Sequence, residues 1–240
     1  MFARRWPRSH ERGGVVPDVV LVHGVGVSSR MCQPTGYALP RHYQVWAPDL
    51  PGFGRSDKDG VPDVNGHADR LVEWQRAAGI SGTVLAGTSL GAQISAAAAQ
   101  RHPEDVAAVV LGAPTIDVYL RSWRQQLSRW PLEQAKQSAR MRVLQVGDVL
   151  RAGPVRVART FGKALEDRLE DRLPMIRQPV LVCWGNRDPV VSRPWVERLA
   201  SAAPRGRLTV LPGALHTLAH ENPLEFARAI DHFVDTLRTG

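Results

Sequence analysis

The sequence predicts an α/β fold built on a mostly parallel, doubly wound sheet. Short apolar runs rich in Val and Leu recur along the chain, and helix-forming stretches separate them. Most of the runs are continuous rather than alternating, which is typical of strands covered on both faces. Strands that alternate with helices favour a parallel sheet, and such sheets bind ligands at the carboxyl ends of their strands. At 240 residues the chain is long enough to bury one large core.

Taken in order, the predicted strands are short and the helices between them are amphipathic or Ala-rich. The strands are predicted at 19–22, 43–47, 84–86, 106–111, 180–184 and 207–211, with helices at 68–78 and 90–100. After the fourth strand the alternation stops for about sixty residues. A connection of that length is unusual and often forms a lid.

This long connection predicts a helical cap over the strand ends. Two apolar stripes at helical spacing lie in it: Trp123, Leu127 and Trp130, then Phe161, Leu165 and Leu169. Packing of one helix on the next explains most of these side chains, but a cap would use the same stripes to line a pocket. We therefore divide one composite domain into core residues 1–113 and 177–240 and a cap at 114–176.

Composition excludes several classes of protein. The chain is 43% hydrophobic and 22% charged, and no apolar run approaches the ~20 residues that span a bilayer. The N-terminus is basic without an apolar stretch, so no signal peptide is predicted and the cytoplasm is the expected location. Cys32 and Cys183 are too few for a metal site, and neither a disulfide nor a cofactor is expected.

The net charge of +8 is concentrated in the predicted cap. Residues 121–177 hold 13 Lys and Arg against 6 Asp and Glu, and the remainder is nearly balanced. No zinc finger or RNA-binding aromatic motif accompanies this surplus, so nucleic acid is not an expected partner. A solvated, Arg-rich surface is one explanation. The other is attraction of an anionic small-molecule substrate, or of an acidic carrier protein that presents one.

The pattern G-x-S-x-G around Ser89 is the first catalytic candidate. It is a weak signal alone, because Gly also serves tight turns without chemistry. Here a predicted strand ends and a predicted helix begins at Ser89 itself. Such a corner exposes the hydroxyl and positions the following N–H for an oxyanion.

Two further candidates follow later strands. Asp188 stands just after the strand at 180–184, and His216 follows the strand at 207–211. A serine needs a base to take its proton, and an imidazole held by a carboxylate provides one. We expect His216 within hydrogen-bond reach of both Ser89 and Asp188. His220 as base and Asp117 as acid remain alternatives.

These motifs together resemble the α/β-hydrolase family, in its serine hydrolases. The match covers nearly the whole chain through "LVHGVG", "APDLPGFGRSD", "AGTSLGA", "CWGNRDPVV" and "LPGALHTLAHENPLEF". The resemblance implies a triad of Ser89, Asp188 and His216 and an oxyanion hole formed by the N–H groups of Val25 and Leu90. It leaves Gly24, Trp123 and Trp130 as candidate substrate contacts. The side chain of His23 is expected to be structural, and Asp49 and Asp57 to shape their loop.

The chain departs from the family pattern in two places. The family usually has two strands before the "LVHGVG" segment, whereas only about 17 residues precede Asp18, so the first edge of the sheet is expected to be short or to lack a strand. The residue before Ser89 is Thr88, neither the His of many lipases nor the Asn of many carbon–carbon bond hydrolases. Five histidines have no motif context: His10, His42, His67, His102 and His232.

The function implied by this resemblance is cleavage of an ester-like bond through an acyl-enzyme. A carboxylic ester or lactone of a small molecule is the first candidate substrate. Thioester hydrolysis, carbon–carbon bond hydrolysis, and a non-hydrolytic lyase, cyclase or binding role remain alternatives. Ser89 argues against dehalogenases and epoxide hydrolases, whose elbow carries Asp.

Overall fold

A seven-stranded sheet organises the protein in the computed structural model, which describes residues 1–9 and 16–238. The strand order is β1-β3-β2-β4-β5-β6-β7, with β1 antiparallel to β3 and all other neighbours parallel. The strands are β1 Ala3–Trp6, β2 Val19–Val22, β3 Val45–Pro48, β4 Thr83–Thr88, β5 Val106–Gly112, β6 Val180–Gly185 and β7 Gly206–Leu211. The predicted α/β class and its parallel sheet are confirmed.

The central strands are buried because helices cover both faces of the sheet. Every residue of β2, β4 and β6 is buried. Helices α2, α3 and α8 contribute to the apolar layer on one face, and α9 and α10 contribute to the layer on the other. Strands in this position have no solvent face to mark with polar residues, which explains their continuous apolar runs.

The helices predicted at 68–78 and 90–100 are observed as α2, which begins four residues earlier, and α3. The α-helices are α1 Gln33–Ala38, α2 Val64–Ala77, α3 Leu90–Arg101, α4 Trp123–Lys136, α5 Ala139–Ala152, α6 Pro154–Glu166, α7 Leu169–Arg172, α8 Arg193–Ala202, α9 Leu218–Glu221 and α10 Pro223–Arg238. Side-chain caps set several starts. The Asp63 carboxylate accepts a bond from Gly66 N at 2.7 Å before α2. Ser122 and Gln125 form a reciprocal capping box before α4.

The N-terminal edge of the sheet is reduced, as the sequence predicts. In the described ranges, one strand of four residues, β1, precedes β2. It lies antiparallel on β3, with Ala3 paired to Pro48 and Trp6 to Val45. The segment before β2 also includes His10, which lies outside the described residues.

Helices α4 to α7 lie between β5 and β6, inside the segment that the sequence assigns to the cap. From here "the cap" means residues 114–176. Cations of the cap donate to backbone carbonyls of the core: Arg129 to Pro189, Lys136 to Arg187, Arg156 to Lys58 and Lys163 to Val61. Part of the basic surplus thus attaches the cap to the core. None of the described helices is both long and apolar enough to cross a membrane.

Candidate active site

Ser89 occupies a sharp corner between β4 and α3. Strand β4 ends at Thr88 and helix α3 begins at Leu90, which leaves one residue for the turn. Ser89 takes φ 56° and ψ −122°, a backbone conformation that residues other than glycine rarely adopt. Its N–H is held by the Gly112 carbonyl at 3.0 Å. Backbone strain of this kind persists where the surrounding structure fixes it, and it is common at active sites.

The glycines on either side of Ser89 allow helix and strands to touch. A Cβ at Gly87 would lie 2.0 Å from the Gly91 carbonyl oxygen, and a Cβ at Gly91 would lie 2.2 Å from that of Val22. Neither contact is possible for a real side chain. The two glycines therefore serve close backbone approach, which seats the start of α3 on β2 and β4 and fixes the direction in which Ser89 points.

Asp188 and His216 are brought together by the loops after β6 and β7. The His216 Nδ1 atom lies 2.9 Å from Asp188 Oδ2, and both side chains are buried. The other carboxylate oxygen accepts bonds from Val190 N at 2.7 Å and Val191 N at 3.1 Å. Three donors on its two oxygens fix the orientation of this carboxylate.

The electrostatic environment of His216 favours its protonated form. Burial alone would lower the pKa of the imidazole. The negative charge of Asp188, the hydrogen bond to it and the charge of Glu133 outweigh burial, so the pKa of His216 is raised above its ordinary value. These surroundings stabilise the positive charge that the imidazole acquires when it acts as a general base.

The two alternative residues have other partners. Asp117 is buried, but its oxygens accept from Tyr119 N and Ser192 N, both at 2.9 Å. His220 lies 3.5 Å from Glu221. Burial lowers the pKa of His220, an effect only partly opposed by Glu221. Both residues thus contribute to the packing of neighbouring loops. His216 is the histidine that pairs with the buried carboxylate after β6, that of Asp188.

The hydroxyl of Ser89 faces the same cavity as His216 without bonding to it. Within the described residues its hydrogen-bond partner is Thr115 Oγ1, at 3.4 Å. The expected contact between Ser89 and His216 is therefore not formed, whereas that between His216 and Asp188 is. In many enzymes the bond from nucleophile to base tightens only in the complex with substrate.

The segment after β2 passes directly beside the serine. A Cβ built on Gly24 would lie 3.2 Å from Ser89 Cβ and 3.6 Å from its Oγ, and the next residue, Val25, lines the cavity. Leu90 is the first residue of α3, where N–H groups have no partner within the helix. The two segments that carry the predicted oxyanion donors thus meet at Ser89.

His23 anchors this segment from behind. Its Nδ1 donates to the Gly24 carbonyl at 2.8 Å, and its Nε2 accepts from Leu50 N at 3.0 Å. An imidazole nitrogen that accepts a hydrogen bond carries no proton, and burial lowers the pKa of His23 accordingly. Asp49 shapes the adjoining loop by accepting from Ser29 N and Arg55 N.

A cavity of about 260 Å³ lies between the core and the cap at this corner. Trp123 and Trp130 line it, as does Phe161, whose ring stands edge-on to that of Trp123 with centroids 4.8 Å apart. The wall is completed by Val25, Gly26, Ser89, Thr115, Gln126, Leu127, Gln145, Val149, Pro154, Val157, Ala158, Val190 and His216. Apart from His216, the wall residues are apolar or uncharged, so the cavity suits an apolar group.

Glu133 is a buried carboxylate that the sequence analysis did not single out. It lies on α4 and accepts from Thr217 N at 3.2 Å and Thr217 Oγ1 at 3.1 Å, with a longer contact of 3.4 Å from His216 N. The available signal was its position. Glu133 stands seven residues after Gln126 on the buried side of α4, one turn beyond Trp130.

Among the described residues, side chains suited to metal binding lie close together around His102, Glu104 and Asp105. Arg76 pairs with both carboxylates, at 2.8 Å to Glu104 and 2.6 Å to Asp105, and His102 bonds to Asp69. Because these groups already have partners, the cluster is an ion-pair network on the surface and is remote from Ser89 in the fold.

The parallel sheet, the strained serine corner and the helices over it define a hydrolase of the α/β-hydrolase class. Residues 19–229 match the model of the alpha/beta hydrolase family, and the chain belongs to that family. It is 29% identical over 252 residues to the pimeloyl-(acyl-carrier protein) methyl ester esterase of Aeromonas hydrophila, covering 94% of this chain and 98% of that protein. The corresponding esterase of Edwardsiella ictaluri is 25% identical over 254 residues, covering 94% of this chain and 96% of that one.

Solved structures agree with this assignment. A membrane phospholipase A described as a bacterial virulence factor superposes with a TM-score of 0.79 at 27% identity, covering 93% of this chain and 80% of that one. A thermophilic esterase from Thermogutta terrifontis gives 0.80 at 22% identity, covering 98% and 93%, and shows the shared fold. Together with the esterase relatives, these matches make the chain an α/β-hydrolase that acts on ester bonds.

Proposed function

We propose that this enzyme hydrolyses carboxylic esters or lactones through an acyl-enzyme on Ser89, with His216 as base and Asp188 as its orienting acid. The observation that carries the proposal is the 2.9 Å bond between His216 and Asp188 beside a serine at φ 56°. His216 takes the hydroxyl proton while Ser89 Oγ attacks the carbonyl carbon. The proton then passes to the departing alcohol, and water releases the acid by the same route.

Two backbone N–H groups would stabilise the negative charge of the tetrahedral intermediate. Leu90 N–H is at the start of α3, and Val25 follows the glycine that packs against Ser89. Loss of one such donor typically costs about 3 to 4 kcal/mol of transition-state stabilisation. This arrangement favours acyl transfer over a binding role, because a receptor has no use for donors aimed at an oxyanion.

The cavity favours an uncharged, apolar acyl group. Its wall includes three aromatic rings, and its polar side chains besides Ser89 and His216 are Thr115, Gln126 and Gln145. The volume of about 260 Å³ lies near the lower end of the ~300 to 1,000 Å³ typical of ligand sites, which favours a small acyl group. A longer chain would extend past Trp123 and Leu127, which are 42% and 59% exposed.

An acyl group presented by an acidic carrier protein is a second candidate substrate. The esterase relatives act on a methyl ester of such a conjugate, and the cap carries the chain's basic surplus. Exposed Arg124, Arg140 and Arg159 lie on the cap, away from the cavity wall. A carrier would then dock on the outside while its acyl chain enters the cavity.

Labelling with a fluorophosphonate probe tests the mechanism. The expected result is labelling of the parent enzyme, its loss in Ser89→Ala, and its retention in Ser128→Ala, a matched change at an exposed serine of the cap. Because the pKa of His216 is raised, the labelling rate should rise with pH through a midpoint above about 6.5, the ordinary histidine value. Ester turnover near the parent rate in folded Ser89→Ala would disprove the acyl-enzyme.

A panel of substrates tests the acyl group. Neutral esters of short to medium chain should be preferred to a carboxylate-bearing analogue of the same length, at every salt concentration. A preference for the carboxylate ester that fades with added salt would instead indicate steering by the cap arginines.

A further inference from the structure

Glu133 has a buried carboxylate that forms no salt bridge with any cation in the part of the chain that the structure describes. It has no measurable exposure, and within the described residues its donors are Thr217 N, Thr217 Oγ1, Gln137 Nε2 and, more distantly, His216 N. All four are uncharged. A buried carboxylate with neutral donors alone costs free energy, and the charge of Glu133 acts on His216.

Helix α4 holds both loops that carry the proposed acid and base. Arg129 donates to the Pro189 carbonyl at 2.9 Å and Lys136 to the Arg187 carbonyl at 3.1 Å, on either side of Asp188. Glu133 lies between these two cations in sequence and bonds to the loop of His216. One cap helix therefore contacts the residues around both members of the pair.

We propose that Glu133 is a positioning residue for His216: it fixes the backbone of the histidine loop from the cap, and its charge stabilises the imidazolium that forms during the reaction. The inference rests on the proposed role of His216 as base. Glu133 does not reach the reacting atoms, and it acts through the orientation and charge of the imidazole.

The other charged groups around His216 leave this role to Glu133 and Asp188. Asp188 faces the ring from the loop after β6. Helix α9 contributes His220 and Glu221, which pair with each other. Arg187 and Lys136 are exposed to solvent. Of these groups, Asp188 and Glu133 are the two whose charges raise the pKa of His216.

The test compares Glu133→Gln with Glu166→Gln, a control that removes an exposed carboxylate from the same cap. Ester turnover and the rate of fluorophosphonate labelling are measured from acid to neutral pH. Loss of the Glu133 charge should make the imidazolium less stable, so the acid limb of both profiles moves to lower pH while KM is unchanged. The control should keep the parent profile.

Glu133→Ala removes the hydrogen bonds as well as the charge. Misplacement of the base should reduce kcat on the order of 10²-fold, with a smaller effect on KM. If neither Glu133 variant folds, Thr217→Val and Thr217→Ser decide the matter. The Val variant, which lacks the hydroxyl donor, should lower kcat, and the Ser variant, which keeps it, should restore kcat.

An acid limb in Glu133→Gln that matches both the parent and Glu166→Gln would overturn the proposal, as would equal kcat in the two Thr217 variants where those decide. Failure of the underlying mechanism has a different signature. In that case the parent is not labelled at Ser89, or Ser89→Ala keeps its turnover.

Discussion

Strand β4 and helix α4 bury their side chains in opposite ways. Every residue of β4 is buried. Helix α4 has 14 residues, of which the buried ones are Gln126 and Glu133, both polar. The core is thus stabilised by removal of apolar surface from water, which is additive and non-directional. Helix α4 is held largely by individual hydrogen bonds, so its position depends on a few named atoms.

This difference in packing corresponds to two roles: the core fixes the position of Ser89, and the cap covers the cavity. A close-packed core has low compressibility, so it fixes Ser89 at the end of β4. The cap exposes apolar side chains on α4 and α5, among them Leu127, Val143 and Leu150 at 59 to 73%. A helix such as α4, with few buried apolar side chains, opens at low free energy, which suits a cover over a substrate cavity.

Glycine substitutions should show the largest difference in stability between the core and the cap. Gly87→Ala places a Cβ 2.0 Å from the Gly91 carbonyl oxygen and 2.5 Å from Ser95 Oγ in the core. We expect a loss of more than about 5 kcal/mol of stability, at the top of the range for single changes. Gly147→Ala on α5 meets nothing within 4 Å and should stabilise its helix by up to about 1 kcal/mol. Urea unfolding measures both, and similar midpoints would contradict the contrast.

Leucine truncations test the same difference in stability between core and cap, with smaller expected effects. Leu85 on β4 is 0% exposed, and Leu85→Ala should cost about 3 to 4 kcal/mol through lost burial and the cavity left behind. Leu150 on α5 is 68% exposed, and Leu150→Ala should change stability by no more than about 0.5 kcal/mol. Denaturant unfolding at constant slope is the measurement. If Leu150→Ala costs more than about 2 kcal/mol of stability, the exposed face of α5 packs against a partner.

His67 should make the core sensitive to acid. It is buried on α2, and neither ring nitrogen has a hydrogen-bond partner in the described residues. Burial, together with His23 and Lys163 and against Asp63, lowers its pKa from 6.5 to about 4. The unfolded chain then binds a proton that the folded protein does not, so stability falls as pH drops from about 6.5 towards 4.

Between pH 7 and pH 5 this single group should remove about 2 kcal/mol. His67→Leu has no titrating group at this position, so its loss of stability over the same pH interval should be smaller by that amount. The comparison uses unfolding curves of both proteins at the two pH values, because other groups titrate equally in each. Parallel losses in parent and variant would show that His67 is already charged or exposed.

The smallest expected effect concerns the attachment of the cap. Arg156 donates to the carbonyls of Lys58 and Gly60 in the core loop. Arg156→Gln should cost about 1 kcal/mol, the usual net value of such bonds near the surface. Arg159→Gln, on the exposed side of the same helix, is the matched control. Faster proteolysis within the cap of Arg156→Gln, with an unchanged core, would localise the effect.

Most of the sheet could be predicted because its strands record their surroundings locally. Short apolar runs predicted β2 through β7 to within a few residues. Strand β1 could not be predicted, since "ARRW" has no apolar pattern and pairs only with the edge of β3. An edge strand obtains its structure from its neighbour, so its sequence is weakly constrained.

From the sequence alone we could predict where the strands lie along the chain, the serine corner and the family, because each depends on short-range patterns such as apolar runs and the glycines on either side of Ser89. Tertiary structure decided how the polar groups pair. Only the fold shows that Asp188 rather than Asp117 meets His216, that Glu133 reaches the same loop, and that cap cations bind core carbonyls. A hydrogen bond requires donor and acceptor to lie within a few tenths of an ångström of the ideal separation. For residues far apart in sequence, no local pattern specifies that separation.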